Sequence, residues 1–148
     1  MKRQFFHEKH QFRLLLCGHK AVEAGAVCLI LMVHGNLPAL TAAHFELASK
    51  SGLLAVFPAL VLSFTQLARH LANKWTSSAV LGVCAFFADA AAHRSNYSGE
   101  YTEAALTALG AFCLSVAISY TPLGRYIDRM AETFLEHPGP ARIRKVEG

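Results

Sequence analysis

Charge is scarce in this 148-residue chain: Asp, Glu, Lys and Arg make up 16% of it, against about 25% in soluble domains. With 53% hydrophobic residues, the chain cannot be a disordered one, which needs low hydrophobicity and high net charge. Cysteine is too sparse, at four residues, to frame a small secreted module, and none falls in a Cys-x-x-Cys pair. The motifs of nucleophilic and phosphate chemistry are missing as well: no Gly-x-Ser-x-Gly, no glycine-rich phosphate loop and no His-Glu-x-x-His. What remains is one apolar unit without an internal repeat, either a soluble bundle with buried helices or a polytopic membrane protein.

What the chain has is long apolar runs. A bilayer span needs about 20 mostly apolar residues, and four stretches approach that length: 14–33, 52–71, 75–93 and 103–121. The first is interrupted by His19, Lys20 and Glu23, which also argues against a cleavable signal peptide. The fourth carries no charge after Glu103 and no polar stripe at helical period, unlike a soluble amphipathic helix.

The basic residues give an independent test. Lys2, Arg3, Lys9 and Arg13 precede the first run, Arg69 and Lys74 lie between the second and third, and Arg125, Arg129, Arg142, Arg144 and Lys145 follow the fourth. If the chain crosses four times, these eleven of fourteen basic residues share one side, leaving Lys50 and Arg94 on the other and Lys20 within a span. The positive-inside rule then places both termini in the cytoplasm. The expected fold is all-α: four transmembrane helices in an antiparallel bundle, in a bacterial inner membrane or encoded by a phage and inserted there. Topology already accounts for the isoelectric point near 9.0, so nucleic acid is not an expected partner.

Around the spans, 1–13 reads as a basic, aromatic arm and 124–148 as an amphipathic turn followed by a basic tail. The short turn at 72–74 predicts that spans two and three pack as an antiparallel hairpin. Asn96-Tyr97-Ser98 matches a glycosylation acceptor, a weak signal. Small residues four apart, Ala21/Gly25, Ala88/Ala92 and Ala104/Ala108, suit close helix contact.

Ionisable residues inside a membrane are costly, so each is a candidate for function. Toward the inner side lie His19, Lys20 and Glu23 on span one with Gln66 and His70 on span two. His19 and Glu23 are four apart and Lys20 and Glu23 three apart, so the three can meet on one helix. Counted from residue 14, Glu23 is about 14 Å deep, near the midplane. A Lys20–Glu23 ion pair that locks the bundle is the plainer role; a proton- or cation-coupled site is the sharper one. Toward the outer side lie His34, His44, Asp89, His93 and Glu103, candidate ligands for Zn²⁺, Cu²⁺ or Fe²⁺ should they converge. The Asp89–His93 spacing is similar to part of the ligand set of membrane copper monooxygenases, but that pattern's second downstream histidine is missing. Haem would need His19 with His70, or His34 with His93, across one cavity.

These readings favour a non-enzymatic membrane protein, either a subunit of a larger complex or an oligomeric, channel- or transporter-like bundle around the Glu/His/Lys group. Its partners would be the bilayer and other subunits or copies of itself. The alternatives are a metal- or haem-binding redox protein, and a membrane anchor or regulator, including a phage-type lysis pore.

Overall fold

A computed structural model describes residues 2–92 and 101–136, with side chains for 8–92 and 101–135. It is all-helical, 88% helix, with no strand among the described residues. The elements in order are α1 (Lys2–Met32), a 3-10 turn (Leu37–Ala39), α2 (Ala42–Ser63), α3 (Ala68–Ala72), α4 (Lys74–Ala92), α5 (Thr102–Ser119) and α6 (Pro122–Ala131), which ends in a π-helical turn (Glu132–Glu136). Four helical segments are long and apolar enough to cross a membrane: Glu8–Met32, Ala42–Ser63, Lys74–Ala92 and Thr102–Ser119.

Local chemistry sets the helix ends. α1 stops where His34 and Gly35 adopt left-handed backbone, φ 50° and 76°, and the Gly35 N–H returns to the Ile30 carbonyl at 3.0 Å. α2 starts at a capping box, in which the Thr41 N–H donates to His44 Nδ1 at 3.1 Å. It ends in hydroxyls that compete for backbone groups: Ser63 Oγ donates to the Leu60 carbonyl at 2.7 Å and Thr65 Oγ1 to the Leu62 carbonyl at 2.8 Å. α6 opens with Pro122 after Thr121, whose side chain accepts from the Gly124 N–H at 3.4 Å.

These ends correct two expectations. The second long helix occupies Ala42–Ser63, starting ten and ending eight residues ahead of the 52–71 run, because the Thr41 cap extends it backwards through polar residues and the hydroxyl turn cuts it short. The hairpin expected between spans two and three does not form, since the turn and α3 separate α2 from α4. The pairs that do form are α1 with α2 and α4 with α5, and the two hairpins dock chiefly through α1 and α5.

Both hairpins rest on small residues. A Cβ on Gly52 would meet the Ala21 carbonyl oxygen at 2.7 Å, and one on Gly25 the Ala48 carbonyl oxygen at 3.1 Å. In the second pair, a Cβ on Gly82 would meet the Ala108 oxygen at 3.0 Å. The Ala21/Gly25 and Ala104/Ala108 pairs therefore lie at or beside helix contacts, whereas Ala88 and Ala92 are exposed.

Large apolar side chains point outward from the hairpins: Leu53, Leu54 and Phe57 on α2 are more than 70% exposed, and Val83, Phe87 and Leu106 are also uncovered. What the hairpins bury is mostly small or polar, including Ala24, Ala59, Ala111, Ser78 and Ser115. A chain folding in water arranges these classes the other way round. At the end where α2 and α5 finish and α4 begins, large apolar side chains are buried too, although Leu14, Phe64, Leu67 and Leu123 stay exposed. There Phe12, Leu16, Ala72 and Ile127 form an apolar core, with Leu71, Met130, Phe134 and Leu135 packed against it. Arg13 lies over the Phe64 ring at 4.2 Å and Lys74 over the Tyr120 ring at 4.4 Å at this same end, and Arg69, Arg125 and Arg129 are exposed there.

Candidate functional site

The first polar group of the sequence assembles around Glu23. The Glu23 side chain is 2% exposed, enclosed between α1, α4 and α5. Lys20, one turn earlier, donates from Nζ to Glu23 Oε2 at 2.7 Å and to Ser77 Oγ on α4 at 2.8 Å. Ser115 on α5 donates to Glu23 Oε1. Ser115 spends its single hydroxyl proton on Glu23, so Ser78 on α4 is the donor in the 2.6 Å contact between Ser78 and Ser115. The result is a directed chain, Ser78 to Ser115 to Glu23, meeting the Lys20 ammonium at the other carboxylate oxygen. His19 completes the cluster, 5% exposed, with Nδ1 3.7 Å from Glu23 Oε2.

The elements explain the convergence. Residues 19, 20 and 23 share neighbouring faces of α1 at three- and four-residue spacing. Ser78 lies four residues into α4 and Ser115 four residues before the end of α5, so the site is about 6 Å inside that end of the second hairpin. Glu23 is therefore level with the first turn of α4 rather than with its middle, because α1 reaches well beyond the other helices to pack Phe12 and Leu16 under α6. The three serines escaped the sequence reading. Their signal was present: Ser77, Ser78 and Ser115 are hydroxyls within two otherwise apolar runs, where a buried hydroxyl needs a partner.

Gln66 and His70 do not join the cluster. Both are exposed and line, with Thr65, Arg69 and Leu135, a separate cavity of about 370 Å³ at the basic end. Both lie beyond the end of α2 at Ser63, Gln66 in the turn and His70 in α3. His19 is not part of that cavity, so His19 and His70 do not face each other across it.

The described outer candidates each have a setting of their own. His34 forms the exposed left-handed turn after α1, and His44 caps α2. Asp89 accepts from Thr107 Oγ1 at 3.2 Å, bridging α4 and α5. Glu103 is exposed in the first turn of α5, where a helix N-terminus favours negative charge. His93 and Asn96-Tyr97-Ser98 lie outside the described residues. Among the described residues, no three His, Cys, Asp or Glu side chains come together to hold a metal ion, and the four cysteines are free. No family model, curated protein or solved structure matches the chain.

Proposed function

We propose that this chain is a small integral membrane protein that acts, within an oligomer or a larger membrane complex, as a transport bundle coupled to cation binding at Glu23. The four helices cross the bilayer, and both termini lie on the cytoplasmic side with the basic residues of α3, α4 and α6. The observation that carries the functional part is the burial of Glu23, at 2% exposure, between helices whose outward faces are apolar. An ionisable group held there must pair or take up a proton, and such groups mark ion pathways in membrane proteins. The outward-facing Leu, Phe and Val side chains support membrane insertion, because lipid, unlike water, does not drive them into the interior.

The test is ion movement by purified protein in sealed lipid vesicles under an imposed gradient. Wild-type protein should pass a cation, and the double variant Lys20→Gln/Glu23→Gln should not. The pair of changes removes both charges and keeps hydrogen-bonding groups, so the fold should survive, as thermal unfolding in detergent would show. Wild-type vesicles that pass no cation, or a double variant as active as wild type, would overturn the proposal.

A further inference from the structure

His19 is the member of the cluster whose hydrogen bonding is left open. Its ring is 5% exposed, and neither Nδ1 nor Nε2 has a hydrogen-bond partner. A neutral imidazole carries one N–H donor and one lone pair, and burying both without partners is costly. Glu23 Oε2, 3.7 Å from Nδ1, is about 0.8 Å beyond an ordinary N–H···O bond. Three charged groups act on the ring: Lys20 and Glu23 from α1, and Asp128 from α6.

The donor set discriminates between cations. A hard metal ion takes about six or more oxygen ligands. Here the Lys20 ammonium already sits against the Glu23 carboxylate and would repel a metal ion, and no cluster of three His, Cys, Asp or Glu side chains exists among the described residues. A proton needs a single lone pair, and His19 has one. We propose that the cation is a proton and that His19 receives it, an inference that rests on the Glu23 site being cation-coupled. The proton binds an imidazole nitrogen, giving an imidazolium. When the 3.7 Å gap closes, it passes from Nδ1 to Glu23 Oε2, leaving a neutral imidazole and a neutral carboxylic acid. Lys20 keeps its charge and its bond to Ser77, and the summed charge of the three side chains is the same before and after transfer.

The experiment uses the same vesicles, loaded with a pH-sensitive dye and energised with a membrane potential, with Na⁺ and K⁺ flux followed in parallel. Wild type should move protons and neither metal ion, and His19→Phe should slow proton flux by about a hundredfold, the scale of a positioned proton-transfer group. His19→Phe breaks no hydrogen bond, so its thermal stability should equal or exceed that of wild type. Flux of Na⁺ or K⁺ without protons would overturn the inference and leave the cation-coupled reading standing; no flux of any cation would overturn both. Proton flux in His19→Phe equal to wild type would also overturn it. Nitrogen NMR of the wild-type His19 ring gives a second reading free of any variant's folding: its protonation should change over the pH range in which flux changes, and a ring that stays in one state throughout would contradict the inference.

Discussion

One helix passes through two interiors built on opposite rules. Around Phe12 and Leu16, α1 buries large apolar side chains against Ile127 and Ala72, as a protein in water does. Two turns later, around Glu23, the same helix buries a carboxylate, an imidazole and neighbouring hydroxyls, while Leu and Phe on α2 face outward. On the membrane-spanning reading proposed above, the difference reflects the solvent around each part. In water, association is driven by removing apolar surface. In lipid that drive vanishes, and contact depends on small residues that let backbones approach and on hydrogen bonds between helices. The proposed membrane placement accordingly puts the two hairpins in lipid and the end capped by α6 at the water interface.

Substitutions can break this contrast, and their effects should fall in order. Glu23→Leu strands the Lys20 ammonium in the interior and should destabilise by about 3–5 kcal/mol, measured by reversible unfolding in detergent; adding Lys20→Met should restore most of the loss. Phe12→Ala opens a cavity in the apolar cap and should cost about 3 kcal/mol, and its effect should add to that of Glu23→Leu if the two interiors are independent. Ser115→Ala removes one hydrogen bond to Glu23 and leaves Ser78 unpaired, at about 1 kcal/mol by the scale of interhelical hydrogen bonds in membranes. Leu54→Ala, at a side chain 75% exposed, should change stability by no more than about 0.5 kcal/mol. A large loss at Leu54 would mean that another surface covers it.

The sequence made much of this legible, for identifiable reasons. Long apolar runs and i,i+3 and i,i+4 spacings are local signals, so the helices and the His19, Lys20 and Glu23 grouping could be read directly. The partners of Glu23 could not, because Ser77, Ser78 and Ser115 lie more than fifty residues away and only packing selects them from the other hydroxyls. Helix register was harder still. The Thr41 cap was not read, because hydropathy averaging favours the apolar centre of α2, and the Ser63–Thr65 break is carried by two hydroxyls within an apolar run. Of the candidate metal set, His93 lies outside the described residues, and each of His34, His44, Asp89 and Glu103 sits at a different helix end or contact.

The most direct test of the contrast is a collision profile of spin labels in lipid vesicles, placed singly at Leu54, Phe57, Val83 and Leu106 on the hairpins and at Arg125 and Arg129 on α6. The hairpin labels should collide with a lipid-soluble relaxant and be shielded from a water-soluble one, and the α6 labels should show the reverse. Hairpin labels reached mainly by the water-soluble reagent would contradict a membrane-spanning bundle.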